Sequence, residues 1–149
     1  MNPAHVHFAL NHLPVFGTVF CAVLLLAAIL RKSAELKKVT LTAFVVVAAL
    51  AIPVYLTGEP AEEIAEGLPG VSHPTIEQHE EAAVAAFTAM IVVGIASLAG
   101  LILFRKGKVV PQWFGVMVLL LSLITAGLMA RTASLGGEIR HTEIRKPVP

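Results

Sequence analysis

Histidine and glutamate side chains, which can bind a transition metal or exchange protons, are concentrated in three stretches of this 149-residue chain. Those stretches contain all six histidines and nine of the ten acidic residues. The first stretch holds His5, His7 and His12; the second holds Glu59, Glu62, Glu63, Glu66, His73, Glu77, His79, Glu80 and Glu81; the third holds Glu138, His141 and Glu143. Long apolar runs separate the stretches, so the fold decides whether they form one site.

The composition indicates the class of protein that must position these residues. Hydrophobic residues make up 56% of the chain and charged residues only 14%, whereas an average soluble domain has roughly 25% charged residues. Four apolar runs, at about 13–30, 39–56, 82–104 and 113–130, each have the length of a helix that crosses a bilayer. We therefore predict an all-α integral membrane protein, a single domain built as a four-helix bundle with an outer cap at 59–81.

The distribution of lysine and arginine predicts how the bundle is oriented. Basic residues fill the first connection (Arg31, Lys32, Lys37 and Lys38) and the third (Arg105, Lys106 and Lys108), and such connections stay cytoplasmic. Both termini and the second connection are then expected on the outer, periplasmic side of a bacterial inner membrane, together with every histidine. The first fourteen residues contain no lysine or arginine, the reverse of a cleavable signal peptide, so the first helix is expected to be retained.

Local patterns predict where several helices begin and end. Asn11 is a good N-cap and Pro14 is tolerated in a first helical turn, so a helix is expected to start near His12. The segment 59–66 predicts a short acidic helix on the outer surface that ends at Gly67. Thr75 and Gln78 fit a capping box, which predicts that the third long helix starts near Ile76.

Two further patterns bear on a cofactor site. Ala82, Ala83 and Ala86 lie below His79 on one predicted helix face, which leaves space for a neighbouring helix or for a flat cofactor. Gly136 and Gly137 are expected to break the last helix, so that the segment 138–145 either folds back onto the outer surface, bringing His141 to the other histidines, or remains a solvated tail.

The histidines suggest a b-type haem, which takes two neutral imidazoles from different helices as axial ligands. His12 and His79, or His7 and His141 as a second pair, are the candidate ligands. Arg131 and Arg140 are the candidate partners of the haem propionates. His5 is expected to be an ordinary interfacial residue.

Three other interpretations stay open. A non-haem iron, copper or zinc site would use a convergent set of His and Glu ligands, with His12, His79, His141, Glu62, Glu77 and Glu80 as candidates. A quinone site would exchange protons with a His and a Glu near the interface. An accessory subunit would simply pair its outer carboxylates with Arg131, Arg140 and Arg145.

Several short motifs carry a resemblance to a known family. They are His7 to Pro14, Thr57-Gly58 after the second span, His79 at the start of the third, and Gly136-Gly137 followed by His141. The chain resembles the uncharacterised bacterial four-helix membrane family that is elsewhere fused to Rieske or cytochrome c domains. This resemblance implies a redox role and points to His7, His12, His79 and His141, whereas the acidic segment 59–66 and Glu77, Glu80 and Glu81 depart from the family pattern.

Taken together, the sequence predicts a membrane electron-transfer subunit with a His-ligated centre at its outer edge, working beside a quinol-handling or cytochrome partner. The near-neutral net charge of +1 gives no sign of nucleic-acid binding. The chain has a single cysteine, Cys21, which lies inside an apolar run. Because each of them needs more than one cysteine, a disulfide framework, a CxxCH haem attachment site and a thiolate zinc site are excluded.

Overall fold

Six helices account for most of the part of the chain that the structure describes. The computed structural model describes residues 3–141, apart from the side chains of Pro3 and Arg140. In chain order the helices are α1 (Pro3–Leu10), α2 (His12–Leu30), α3 (Ala34–Leu56), α4 (Gly58–Glu66), α5 (His73–Leu103) and α6 (Gln112–Arg140). No strand occurs among these residues, so the predicted all-α class is confirmed for them.

The four long helices form a closed bundle. Helix α2 packs against α3 and α6, and α5 packs against the same two helices. Four helical stretches are long and apolar enough to cross a membrane: Ala4–Leu30, Ala34–Glu66, His73–Leu103 and Gln112–Ile139. These match the four predicted runs to within one residue at the end of the third, and each begins before the run that predicted it.

Small residues let α3 and α5 approach closely within the core. A Cβ atom built on Gly94 would lie 2.4 Å from the Cβ of Ala48, far inside van der Waals contact. Large side chains fill the space on either side of this crossing, among them the fully buried Phe44, Met90 and Val93. The predicted small-residue pattern on α5 thus serves helix packing, as is usual for small residues in membrane bundles.

A buried lysine ties three helix ends together at one end of the bundle. Lys37, in the first turns of α3, is only 3% exposed. Its Nζ donates to the carbonyl oxygen of Val110 at 2.6 Å and to Oε1 of Gln112 at 3.3 Å. The Gln112 amide in turn donates to the carbonyl oxygen of Ile29 at 2.9 Å. The Lys37 ammonium group and the Gln112 amide therefore link the start of α3 to the start of α6 and to the last turn of α2.

Replacing Lys37 with methionine is expected to lower the free energy of unfolding by about 1–3 kcal/mol, the cost of leaving a buried acceptor without a donor. Thermal unfolding of the purified protein in detergent measures the change. Lys38→Met is the matched control, since the Lys38 side chain makes no hydrogen bond to any residue in 3–141. Equal destabilisation by both substitutions would contradict this role for Lys37.

The opposite end of the bundle brings together α1, α4 and the C-terminal turns of α6. Helix α1 packs on α4, and His79 near the start of α5 contacts Thr132 of α6. The three histidine- and glutamate-bearing stretches are thus adjacent up to residue 141, at the end opposite the two lysine- and arginine-rich connections. Glu143 and Arg145 lie outside the described residues.

Two predicted helix boundaries are wrong. Helix α5 begins at His73 rather than near Ile76, because Ser72 takes the extended N-cap conformation and Pro74 occupies the first turn. Helix α6 does not break at Gly136 and Gly137 but continues to Arg140. The described residues 138–140 therefore extend the last helix rather than fold back.

The other predicted boundaries agree with the structure. Helix α2 begins at His12, and the short acidic helix is α4, which ends before Gly67. Asn11 does not cap the backbone of α2, because its side-chain oxygen instead contacts Nδ1 of His12.

Candidate functional site

His7 is held at the junction of α3 and α4. Its imidazole is half-buried, and its Nδ1 lies 3.1 Å from the carbonyl oxygen of Val54. The hydroxyl oxygen of Thr57 is 3.4 Å from the same nitrogen. Pro53 lies in the last turn of α3, and the Thr57 hydroxyl donates to the carbonyl oxygens of Pro53 and Val54. The end of α3 thereby forms a polar recess that receives the α1 imidazole.

His79 is held in a similar way by α6. Its imidazole is half-buried in the second turn of α5, and its Nδ1 lies 3.0 Å from the carbonyl oxygen of Thr132. Gly136 lies against this ring, because a Cβ at Gly136 would come within 3.0 Å of His79 Cε1. The glycine that was expected to break α6 therefore makes room for the imidazole.

Both imidazoles have the same protonation pattern. A carbonyl oxygen only accepts hydrogen bonds, so Nδ1 carries the hydrogen in His7 and in His79, and Nε2 of each neutral ring bears the free lone pair. Neither Nε2 has a hydrogen-bond partner within residues 3–141. Metal-binding histidines are typically oriented in this way, by a hydrogen bond from the distal ring nitrogen to a carbonyl or a carboxylate.

The two rings belong to one neighbourhood of the bundle. They come from different helices, α1 and α5, and both lie at the end of the bundle opposite the basic connections. We refer to His7 and His79 as the histidine pair. It combines a residue from each of the two pairs that the sequence suggested, since His12 was matched there with His79 and His7 with His141.

The other predicted ligands lie elsewhere. His12 is exposed, and its ring stacks on the exposed ring of Phe16 at a centroid distance of 6.2 Å. His141 is exposed at the C-terminal end of α6. Arg131 is exposed on the last turns of α6, and the Arg140 side chain lies outside what the structure describes.

Five glutamates line a cavity to which neither residue of the histidine pair contributes. The cavity has a volume of about 240 Å³ and is lined by Glu59, Glu62, Glu63, Glu66 and Glu80. Glu66 pairs at 2.8 Å with the exposed His73, which fastens the end of α4 to the start of α5. Glu77 is exposed. No group of three or more His, Cys, Asp or Glu side chains converges as a metal site among the described residues.

The alanine face below His79 packs inside the bundle. Ala82 and Ala86 are 6% and 4% exposed, and α5 contacts α3 and α6 along its length. Of the two uses that the sequence left open for this face, the structure shows helix packing.

Sequence reasoning could not identify the groups that orient the histidine pair. The carbonyl oxygens of Val54 and Thr132 belong to apolar or weakly polar positions, and no side-chain pattern marks a backbone acceptor. In the sequence, Thr57 stands out only as part of the Thr-Gly motif after the second span. Its position at a helix end, after Pro53 in the same turn, is the one local signal that a polar recess forms there.

Comparison with protein-family models, with curated proteins and with solved structures finds no match to this chain.

Proposed function

We propose that the protein is a membrane electron-transfer subunit that holds a b-type haem through His7 and His79 at the outer end of its bundle. One observation carries the proposal: two half-buried imidazoles from different helices, each with Nδ1 bound to a backbone carbonyl and Nε2 available. The hydrogen bond from Nδ1 to a backbone carbonyl oxygen fixes the orientation of each ring and leaves Nε2 as the nitrogen that would bind the iron.

The number and type of donors suit a haem. A porphyrin supplies four ligands to its iron, so two neutral imidazoles complete the coordination shell. Such a group would supply one-electron transfer, and His7 and His79 would hold it. Gly136 keeps side-chain atoms away from the His79 ring, since a Cβ there would lie 3.0 Å from His79 Cε1, whereas a Cβ at Gly58 would make only an ordinary contact with His7 Cε1 at 3.9 Å. Arg131, exposed on α6 near Thr132, is the cation proposed for a propionate.

The surface of the helices supports insertion into a bilayer. Only 33% to 39% of the most apolar part of each candidate span is buried, so most of its residues are at least partly exposed. Exposed Phe16, Phe20, Ile95 and Ile124 illustrate this, with exposed fractions between 62% and 68%. Lipid tails are the solvent that accommodates such a surface.

The ends of the bundle support a direction of insertion. The basic connections lie at the end that holds Lys37, and positive connections remain cytoplasmic. The exposed Trp113 lies near that end, and Tyr55 stacks on Phe87 at 4.3 Å near the other, as in the aromatic belts of membrane proteins. The histidine pair then faces the periplasm of a bacterial inner membrane.

A partner is part of this proposal. A single one-electron centre relays electrons and needs a donor and an acceptor, for which a cytochrome and a quinol-handling membrane subunit are proposed.

The absorption spectrum of the purified protein, recorded with metal analysis on the same sample, tests the proposed function. We expect a reddish preparation with a Soret band and one iron per haem. A preparation that remains colourless after haem is supplied during expression would contradict it. Stoichiometric iron, copper or zinc without porphyrin would instead support a non-haem metal centre.

A further inference from the structure

We propose that Thr57 is a positioning residue that fixes which ring nitrogen of His7 carries the hydrogen, and with it the orientation of the ring. The inference rests on the proposed function where it treats His7 as a ligand, but the effect on the imidazole itself requires no cofactor. Thr57 lies at the junction of α3 and α4, beside the imidazole that α1 supplies.

The proton of the Thr57 hydroxyl is engaged by the backbone. The hydroxyl oxygen lies 2.8 Å from the carbonyl oxygen of Pro53 and 3.1 Å from that of Val54. A carbonyl oxygen only accepts hydrogen bonds, so the hydroxyl proton is directed toward these two atoms. The hydroxyl oxygen therefore presents a lone pair to Nδ1 of His7, which is 3.4 Å away.

His7 accordingly meets two acceptors through one ring nitrogen. The carbonyl oxygen of Val54 is 3.1 Å from Nδ1, and Thr57 Oγ1 is 3.4 Å from it. One N–H can be shared between two such acceptors. If Nδ1 carried no hydrogen, its lone pair would face the Val54 carbonyl oxygen, which has no proton to offer. The hydroxyl thus adds to the preference for a hydrogen on Nδ1, and this preference leaves the lone pair on Nε2.

The end of α3 supplies both acceptors, because the last carbonyl groups of a helix have no partner within that helix. Helix α3 ends at Leu56, and Thr57 is its C-cap. From this position the threonine side chain reaches back to the carbonyl groups four and three residues earlier. A valine at position 57 would have a similar shape but would offer no oxygen to the ring.

His79 serves as an internal comparison, because its ring is oriented by a backbone carbonyl group. Its Nδ1 lies 3.0 Å from the carbonyl oxygen of Thr132, whereas the Thr132 hydroxyl donates to the carbonyl oxygen of Leu128. Removing the Thr57 hydroxyl is therefore expected to change His7 and to leave His79 as it is.

The second acceptor also affects the strength of the ring as a ligand. A hydrogen bond from the distal nitrogen of an imidazole raises the basicity of the nitrogen that binds a metal. In the proposed site, Thr57 would make Nε2 of His7 a stronger donor, which favours oxidised iron and lowers the reduction potential. Loss of the hydroxyl is therefore expected to shift the potential upward.

Nuclear magnetic resonance of the full-length protein in detergent, with ¹⁵N-labelled histidine and without haem, tests the role of Thr57. At alkaline pH, where the imidazoles are neutral, we expect the hydrogen of His7 on Nδ1 in the wild type. In Thr57→Val we expect a mixture of the two neutral tautomers at His7 and no change at His79. The His7 signals are identified by their absence from His7→Ala.

Two further variants make the result specific to the hydroxyl. Thr57→Ser keeps the hydroxyl and is expected to keep the wild-type tautomer. Thr42→Val is the matched control, because Thr42 lies on the same helix and its hydroxyl also donates to a carbonyl oxygen four residues earlier, that of Lys38. An unchanged tautomer in Thr57→Val overturns the role of Thr57, and so does a change that Thr57→Ser or Thr42→Val shares.

The protein supplied with haem extends the test to the ligand. Thr57→Val is expected to bind haem about tenfold more weakly than the wild type, with a higher reduction potential. Equal affinity and equal potential in the two proteins overturn the inference and leave the proposed function standing. A tautomer change in a protein whose wild type binds no haem supports the role of Thr57 and contradicts the proposed function instead.

Discussion

Replacing His79 with alanine is expected to abolish the Soret band of the purified protein, and replacing His7 with alanine is expected to do the same or to leave a weak, shifted band. In the proposed site each substitution would remove one of the two imidazoles that would hold the haem, and the remaining ring alone would not complete the coordination of its iron. Haem content per chain, measured by pyridine haemochrome on protein of equal concentration, gives the size of the loss. We expect more than about tenfold, since metal affinity falls 10–100-fold even when only outer-shell partners of a ligand change.

Controls separate loss of a ligand from loss of the fold. Free imidazole added to His79→Ala is expected to restore part of the band, because a folded protein retains the space that the ring occupied. His5→Ala is expected to keep full haem content, since His5 is exposed on α1. If His12→Ala removes the haem and His7→Ala does not, the centre uses the pairing of His12 with His79 instead of the histidine pair.

Replacing Gly94 with alanine is expected to cause a large loss of stability through a single added methyl group in the bundle core. The new Cβ would lie 2.4 Å from the Cβ of Ala48, and neither atom can rotate away because both are fixed to helical backbone. Helices α3 and α5 must therefore separate or shift, at a cost of about 1–3 kcal/mol or more in the free energy of unfolding. The midpoint of thermal unfolding in detergent reports the change.

Two further variants make the Gly94 result specific. Gly127→Ala, on α6, adds the same methyl group where no atom lies within 4 Å, so it should be neutral or slightly stabilising through helix propensity. Adding Ala48→Gly to Gly94→Ala should recover most of the lost stability, because it removes the clashing atom. A double variant no more stable than Gly94→Ala would show that the close approach of α3 and α5 is not the cause.

Much of the fold follows from properties that a sequence displays directly. The four apolar runs and the basic residues between them depend on composition and length, and they correctly predict four long helices with both basic connections at one end. The error at the end of α6 falls where a tertiary contact overrides a local signal. Gly136 and Gly137 normally favour a helix end, yet α6 continues because Gly136 packs against the His79 ring.

The site was less predictable than the fold. The sequence suggested that the histidines meet at one end, and His79 was among the favoured residues. Whether His7 or His12 is the better candidate ligand depends on two features of the fold. One is the break between α1 and α2 at Asn11, and the other is the recess formed by Val54 and Thr57. Both are long-range or conformational features, so neither can be predicted from the spacing of the histidines in the sequence.

The separation of the two imidazoles along the chain has a consequence for biogenesis. His7 belongs to a helix that leaves the ribosome before the third and fourth long helices, which supply His79 and the Thr132 carbonyl that orients it. A cofactor held by both imidazoles would be retained only after the fourth long helix had joined the bundle. Cofactor content would therefore report completed assembly, and chains that stall with two helices inserted would remain empty and recognisable to quality control.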